Sequence, residues 1–213
     1  MFTLYGSTGS GSAAVEAALL LSGAPFRMVR ASSWEPDSDQ AALLKVNPLG
    51  QIPTLQLPDG SVLTESAAIL IHLGLTFPDS GLLPADASAR AQAIRGLVYV
   101  AANCYAAIGV IDFPERFSEG GDEALHKAIR AGARQRLHAC WEVFADQFTA
   151  GDQPFFGGSQ PGALDLLATV VSRWSGARAH LRERRPALHA LFERTQAHPA
   201  LAALFKRHWP KAA

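Results

Sequence analysis

The sequence predicts two domains, an α/β domain followed by an all-helical domain. Short apolar segments typical of strands occur only in the first 78 residues, where they alternate with helical patterns. Beyond residue 86 the apolar residues recur only at helical spacing. Residues 79–86, between these regions, contain a glycine and a proline and are typical of a linker. We therefore predict an α/β domain at residues 1–78, a linker at 79–86 and a helical domain at 87–213.

The first domain has the predicted element order βαβ-α-ββα. A strand, a helix and a second strand fall within the first thirty residues, and such a βαβ unit predicts that the two strands are parallel. The whole order resembles that of a thioredoxin-like domain. The predicted elements are a strand at Phe2–Tyr5, a helix at Ala13–Leu21, a strand at Phe26–Val29, a short helix at Asp37–Leu44, a hairpin of Thr54–Leu57 and Val62–Thr64, and a helix at Ser66–Thr76.

The hairpin begins next to a proline, which is unusual inside a strand. Pro53 has no amide proton for a ladder hydrogen bond and therefore belongs at a strand entrance or at a sheet edge. It is also a candidate for a cis peptide bond, since nearly all cis bonds precede proline. A cis Ile52–Pro53 bond would turn the N–H and C=O of Ile52 outward, where the backbone of a bound peptide could pair with them.

A ligand site is predicted where the hairpin meets the next helix. Glu65 and Ser66 begin that helix, beside free backbone amides and the positive end of the helix dipole, which together suit a carboxylate. The Glu65 side chain suits an ammonium group. A carboxylate and an ammonium on one carbon form the head of an amino acid. Ile52, Glu65 and Ser66 together therefore indicate a small peptide ligand.

The composition argues against several classes of function. Nineteen basic and nineteen acidic residues cancel, and the arginine cluster at residues 178–185 has no interleaved aromatic residues, so nucleic acid is not an expected partner. The longest apolar runs fall short of the ~20 residues that span a bilayer, and the first residues lack a signal-peptide pattern. We therefore expect a cytoplasmic protein without membrane contact. The histidines and the two cysteines show no metal-ligand spacing, so no metal is expected.

Two stretches resemble a known family. Residues 47–55, Asn-Pro-Leu-Gly-Gln-Ile-Pro-Thr-Leu, then a turn and Thr-Glu-Ser at 64–66, resemble the glutathione-binding half of cytosolic glutathione transferases. Residues 155–167 resemble a helix of that family that carries a capping box and a buried aspartate. The family has Ser or Thr at the cap, where this chain has Gly162. We therefore expect Asp165 to accept from the free amides at the helix start while the reciprocal cap is lost.

The resemblance implies that the first domain binds glutathione as a co-substrate, with its thiol at the end of the first strand. Gln51 and Ile52, with Pro53, would hold the cysteinyl backbone, and Glu65 and Ser66 would hold the γ-glutamyl head. Lys45 would reach the glycyl carboxylate, unless it is only a solvated lysine at a helix end.

The resemblance also implies a group that stabilises the glutathione thiolate, because the thiol itself is a poor nucleophile. Serine-type members of the family place a serine about five residues after the aromatic residue of the first strand. Counting from Tyr5 gives Ser10, and this count is what makes the chain resemble bacterial serine-type members. Ser12 is the alternative donor, although it could equally be the N-cap of the following helix. The position occupied by cysteine in cysteine-type members is Gly11 here.

The electrophile is expected between the domains, against the first long helix of the second domain. Tyr99, Asn103 and Ala106 share one face of that helix, although Tyr99 could instead serve core or dimer packing. The resemblance implies a homodimeric enzyme that joins the glutathione thiolate to a small electrophile. The alternatives are a glutathione-dependent lyase or dehalogenase, and a non-catalytic ligand-binding or regulatory module with the same fold. The helices predicted for this domain are Ala87–Val110, Asp122–Phe148, Gly162–Ser175, Pro186–Gln196 and Pro199–Phe205.

Overall fold

The computed structural model describes residues 1–149 and 153–210 of the 213-residue chain. Its first part is a four-stranded sheet with strand order β2-β1-β3-β4. Strand β1 pairs in parallel with β2 and antiparallel with β3, which confirms the βαβ unit and the thioredoxin-like order. The elements are β1 Phe2–Gly6, α1 Ser12–Leu21, β2 Phe26–Arg30, α2 Gln40–Val46, β3 Thr54–Gln56, β4 Val62–Leu63 and α3 Ser66–Thr76.

The alternation of side chains along β1 divides the core of this part between the two faces of the sheet. The fully buried side chain of Leu4 lies in the large core, together with apolar residues of α1 and α3. The next side chain, Tyr5, lies in a small separate cluster with Leu43 of α2. Helices α1 and α3 therefore cover one face of the sheet, and α2 covers the other.

The second part is helical, as predicted, but its first helix is interrupted. Helix α4 passes into a π-helical segment, Val100–Tyr105, before α5 continues the run. A π-helical turn holds an extra residue, so the faces of the helix rotate relative to a regular α-helix. The elements are α4 Ala87–Tyr99, α5 Ala106–Asp112, a 3₁₀ turn Pro114–Phe117, α6 Glu123–Phe148, α7 Ala163–Val171, α8 Ala177–Arg184, α9 Pro186–Ala197 and α10 Ala202–His208.

The helical run Ala87–Asp112 is long and apolar enough to cross a bilayer, with a mean hydropathy of 1.6 over its most apolar window. Its inward side is part of the protein core, where Leu97, Val100 and Cys104 are fully buried. The run packs against α6 and α7. Since a core helix of this kind meets the same criteria of length and composition, the run is weak evidence of a membrane span.

Helix α7 is the most deeply buried helix segment, and an aspartate organises its first turn. All nine residues of α7 are buried, and the Asp165 carboxylate accepts the Gly162 N–H at 2.8 Å. The expectation that Asp165 accepts from the helix start is therefore confirmed. The same carboxylate accepts from the N–H groups of Phe156 and Gly157, at 2.9 and 3.1 Å, and so ties the preceding loop to α7. Burial raises the pKa of Asp165 to about 6, although these three N–H donors oppose the rise.

Candidate functional site

Three segments of the chain meet at one edge of the sheet. In the pairing of β1 with β3, Tyr5 lies opposite Thr54, and in the pairing of β3 with β4, Leu55 lies opposite Leu63. The residues just beyond these pairs therefore come together at the carboxyl end of β1. They are the loop between β1 and α1, here called the thiol loop (residues 7–11), the Ile52–Pro53 bond before β3, and the start of α3 at Glu65.

The Ile52–Pro53 bond is cis, as the sequence suggested, and hydrogen bonds to the preceding residue fix the segment around it. The Gln51 carbonyl accepts from Asn47 Nδ2 at 3.0 Å and from Thr54 Oγ1 at 2.8 Å. Neither the N–H nor the C=O of Ile52 has a hydrogen-bond partner among residues 1–149 and 153–210. Because Ile52 is only half-buried, both groups are available to the backbone of a ligand.

The start of α3 offers a second set of free polar groups. Within the described chain, the N–H groups of Ser66, Ala67 and Ala68 have no hydrogen-bond partner, and Ile69 is the first residue to donate within the helix. The Glu65 side chain is exposed, and its backbone adopts φ 61° and ψ 108°. A left-handed φ is costly for a residue other than glycine, and such residues concentrate at ligand sites. The Ser66 side chain is buried.

The hydroxyl groups of Ser10 and Ser12 make hydrogen bonds inside the protein. Ser10 Oγ lies 2.7 Å from the Ser7 carbonyl and 2.8 Å from Ser12 Oγ. Ser12 Oγ in turn lies 3.1 Å from the Ser7 carbonyl and accepts the Ser7 N–H at 3.2 Å. Ser12 is fully buried and occupies the first turn of α1, whereas Gly11 is the N-cap, so the N-cap alternative for Ser12 is wrong. Its hydroxyl closes the loop onto itself.

The hydroxyl of Ser7, the remaining serine of the loop, is hydrogen-bonded to a carboxylate. Ser7 Oγ donates to Glu35 Oε1 at 2.7 Å, and Arg30 Nε donates to the other carboxylate oxygen at 3.2 Å. The hydrogen bond from Ser7 lowers the pKa of Glu35, with further lowering from Ser32 and from the charge of Arg30. Glu35 is therefore ionised at neutral pH and keeps the Ser7 hydroxyl engaged.

Backbone amides of the thiol loop offer further hydrogen-bond donors. In the described part of the chain, the N–H groups of Ser10 and Gly11 donate to no partner. Both groups lie at the N-terminus of α1, where the helix dipole favours a negative charge. Ser10, which is 5 % exposed, is closer to solvent than Ser12, which is 0 % exposed. Of the two serines, Ser10 is therefore the more accessible to a ligand.

Lys45 and Gln51 lie on the exposed side of the same region. Lys45 occupies the last turn of α2, and its side chain is exposed. The Gln51 side chain is also exposed, while its carbonyl has the internal partners described above. Both side chains are free to reach a ligand that lies along Ile52.

The residues predicted to line the electrophile pocket have their contacts with α6, and their role toward an electrophile stays a prediction. Tyr99 donates its hydroxyl to the Cys140 carbonyl of α6 at 2.9 Å, and its ring packs against Phe144 and Phe148. Asn103 and Ala106 line a groove of about 340 Å³ between the first helical run and α6. Tyr99 therefore packs inside the helical domain, as its packing alternative proposed, whereas Asn103 and the exposed Ala106 border the groove.

The side chain that does reach the thiol loop from this run is Tyr105, which sequence reasoning missed. A Cβ atom on Gly11 would collide with the Tyr105 hydroxyl, so the two residues lie in direct contact. That hydroxyl has no hydrogen-bond partner within the described residues, and its ring stacks on Trp174 at 5.8 Å. Burial raises the pKa of Tyr105 to about 12, with smaller contributions from Asp112 and Glu65. Tyr105 therefore remains a protonated donor at neutral pH.

The cysteines lie away from the thiol loop. Cys104 is fully buried in the π-helical segment, and its burial raises the pKa of its thiol far above the ordinary value. Cys140 lies on α6 and is half-buried. Across the described ranges, no group of three or more His, Cys, Asp or Glu side chains is arranged to hold a metal ion.

The fold and the site define a two-domain protein whose thioredoxin-like domain presents free backbone groups at one sheet edge. Residues 12–75 match the family model of the glutathione S-transferase N-terminal domain. An uncharacterized GST-like protein of Escherichia coli is 30% identical over 210 residues, which cover 98% of each chain. A glutathione transferase homolog from Sulfitobacter, solved with bound glutathione, is 25% identical, covers 96% of each chain and superposes with a TM-score of 0.81. The maleylacetoacetate isomerase of Pseudomonas aeruginosa is 27% identical over 94% of this chain and 95% of its own length. This chain belongs to the glutathione S-transferase family.

Proposed function

We propose that this protein is a glutathione transferase that joins the glutathione thiolate to a small electrophile in the cytoplasm. The observation that carries the proposal is the gathering of free backbone groups at one sheet edge. The Ile52 N–H and C=O and the first amides of α3 flank the N-terminus of α1. That arrangement matches a short peptide with an amino-acid head at one end and a thiol in the middle. The family membership and the glutathione bound to the Sulfitobacter neighbour support glutathione as that peptide.

Each part of glutathione has a proposed partner. The cysteinyl N–H and C=O pair with the C=O and N–H of Ile52, where cis Pro53 sets the direction of the edge. The α-carboxylate of the γ-glutamyl head binds Ser66 and the free amides of α3, while Glu65 binds its ammonium group. Lys45 and the Gln51 side chain serve the glycyl end and the cysteinyl backbone from the exposed side.

The thiol then lies at the thiol loop, beside Ser10. The Ser10 and Gly11 N–H groups and the dipole of α1 stabilise the sulfur anion, and Ser10 contributes its hydroxyl by turning away from the Ser7 carbonyl. The thiol proton leaves to solvent. A lone pair of the sulfur forms the new C–S bond, and the electrophile's leaving group, or its opened ring oxygen, takes the electron pair of the bond that breaks.

A second function is a glutathione-binding module that does not activate the thiol. It is favoured by one observation, namely that Ser10 and Ser12 already satisfy each other and the Ser7 carbonyl. Lyase and dehalogenase reactions use the same bound thiolate and differ only in the electrophile. The homodimer stays a prediction, which light scattering of the purified protein tests.

Calorimetric titration with reduced glutathione, combined with ultraviolet absorbance of the thiolate at neutral pH, separates these functions. Binding with a thiolate signal supports the transferase, and a panel of electrophiles then identifies the reaction. Binding without that signal supports the non-activating module. Absence of binding contradicts both.

A further inference from the structure

The end of the last helix is attached to the thiol loop by a buried chain of hydrogen bonds. The Gly9 N–H donates to Nδ1 of His208 at 3.1 Å, and Nε2 of His208 lies 2.8 Å from Glu16 Oε2 of α1. His208 and Glu16 are only 5 % and 6 % exposed. Arg207 donates to the other oxygen of Glu16. This series of hydrogen bonds therefore joins positions 199 residues apart in the sequence.

This arrangement fixes the protonation of the imidazole. A backbone N–H can only donate, so Nδ1 of His208 must accept and carries no proton. The ring proton is then on Nε2, where it is donated to the Glu16 carboxylate. A neutral imidazole with one defined tautomer is thus oriented by a carboxylate on one side and holds a loop amide on the other.

The N–H group that His208 accepts belongs to Gly9, whose backbone conformation sets the course of the thiol loop. Gly9 has a φ of 73°, a conformation that favours glycine, and a Cβ atom there would lie 3.4 Å from the His208 carbonyl oxygen. The next two N–H groups along the chain are those of Ser10 and Gly11, which have no hydrogen-bond partner among the described residues. Loss of the hydrogen bond to His208 would free the backbone at Gly9, and a change in the φ and ψ angles of Gly9 would reorient the Ser10 and Gly11 N–H groups that follow it.

We propose that His208 is a positioning residue, which fixes the thiol loop by accepting the Gly9 N–H and so sets the acidity of the bound thiol. The part of this statement that concerns acidity rests on the proposed function, whereas the part that concerns the loop does not. The competing explanation is purely structural, since the contact with Glu16 alone would join α10 to α1 and stabilise the fold.

Two substitutions separate these explanations, because each keeps one of the two hydrogen bonds. In His208→Asn the side-chain oxygen occupies the place of Nδ1 and can still accept the Gly9 N–H, but the contact with Glu16 is lost. In His208→Gln the longer side chain reaches the place of Nε2 and can donate to Glu16, but the acceptor for Gly9 is lost. If the role of His208 is structural, His208→Gln should be closer to wild type, because it keeps the contact with Glu16. If the role is positioning, His208→Asn should be closer, because it keeps the acceptor for the Gly9 N–H.

The experiment measures amide hydrogen exchange of residues 7–12 in the free protein and the pH titration of glutathione-bound thiolate absorbance, in both variants. We expect His208→Gln to speed exchange at Gly9 at least tenfold and to raise the pKa of the bound thiol by about one unit, which is a tenfold change in the ionisation constant. In His208→Asn, the exchange rate at Gly9 and the pKa of the bound thiol should both stay close to their wild-type values. Equal exchange in the two variants overturns the proposal, and so does faster exchange without any change in the thiol titration.

The outcomes for the two proposals are distinguishable. A wild-type protein that binds no glutathione overturns the proposed function, and the exchange data then decide the role of His208 in the loop. If neither variant folds, ¹⁵N chemical shifts of the imidazole in the wild-type protein test whether Nδ1 can accept the Gly9 N–H, which the proposal requires. An unprotonated Nδ1 and a protonated Nε2 support the proposal, and the opposite tautomer overturns it.

Discussion

The hydroxyl of Tyr105 lies against Gly11, so close that no side chain larger than a hydrogen fits on that glycine. Gly11 caps α1 in the first domain, and Tyr105 ends the π-helical segment of the second. The second domain therefore contacts the thiol loop at two points, through Tyr105 at Gly11 and through His208 at Gly9. The protonated phenol is a side-chain donor beside Gly11 that has no internal partner in the described chain.

We first predict that Tyr105→Phe lowers kcat/KM for conjugation at least tenfold, which corresponds to ~1.4 kcal/mol. The phenol can donate to the sulfur anion or to an oxygen that becomes negative on the electrophile, and phenylalanine keeps the stacking on Trp174 but removes that donor. Steady-state kinetics with the best electrophile of the panel provide the measurement. The affinity for glutathione should change little, because the Ile52 backbone groups and the first N–H groups of α3 stay in place.

Tyr99→Phe is the matched control for this substitution. It removes a hydroxyl from the same helical run, but that hydroxyl donates to the Cys140 carbonyl inside the helical domain. It should cost about 1 kcal/mol of the free energy of unfolding and leave activity unchanged. A loss of activity in Tyr99→Phe together with full activity in Tyr105→Phe would contradict this prediction and support an electrophile pocket at Tyr99, Asn103 and Ala106.

The contrast between these two tyrosines indicates what the sequence could and could not predict. The α/β domain was predictable because its signals are local: proline before a strand, Pro-Asp-Gly in a tight turn, and Glu-Ser at a helix start. Ile52 and Glu65 come together through one short hairpin, so their proximity follows from strand pairing. The contact of Tyr105 with the thiol loop was missed because a regular helical spacing does not reveal a π-helical segment.

The contacts of the thiol loop with the second domain were beyond sequence reasoning for another reason. Gly11 and Tyr105 lie more than ninety residues apart, and Gly9 and His208 are separated by 199 residues. No periodicity or motif relates such positions, because only the packing of whole helices brings them together. The role of Ser12 was undecided in the same way, since its partners became identifiable only once the loop had a shape.

The second prediction separates the two serines. Ser10→Ala should raise the pKa of bound glutathione thiol by about one unit, because the thiolate loses one hydrogen-bond donor of about 1.4 kcal/mol. Ser12→Ala should leave the Ser7 N–H buried without an acceptor and lower the free energy of unfolding by about 1–3 kcal/mol. Thiolate titration and urea unfolding of both variants are the measurements. If Ser12→Ala abolishes the thiolate signal in a stable protein while Ser10→Ala keeps it, the assignment to Ser10 is wrong.

The third prediction concerns the amino-acid head. Glu65→Gln should weaken glutathione binding at least tenfold, or ~1.4 kcal/mol, because the ammonium group loses its charged partner. Glutamine has the same Cβ and Cγ as glutamate, so the left-handed backbone at this position carries a comparable cost in both proteins. Calorimetry with glutathione and with an analogue that lacks the amino group makes the test specific. Wild type and variant should bind the analogue equally, and an unchanged affinity for glutathione itself would contradict the proposed head site.

The fourth prediction is a dependence of stability on pH that originates in Asp165, far from the thiol loop. The pKa of this buried carboxyl is about 6 in the folded protein, above the value of about 4 that an unfolded aspartate has. Between these values the folded protein holds a proton that the unfolded chain has released. The contribution of Asp165 to the free energy of unfolding therefore falls as pH rises from about 4 to about 6, by an amount on the order of 3 kcal/mol.

Asp165→Asn supplies the reference, because asparagine occupies the same place without titrating. Urea unfolding at about pH 4 and about pH 7 gives the difference in free energy of unfolding between wild type and variant at each pH. Wild type should be less stable relative to the variant at the higher pH than at the lower one. The comparison cancels every other group that titrates in this range, since both proteins share them. A shift in the opposite direction would mean that the N–H groups of Phe156, Gly157 and Gly162, together with the dipole of α7, stabilise the carboxylate by more than its burial disfavours it.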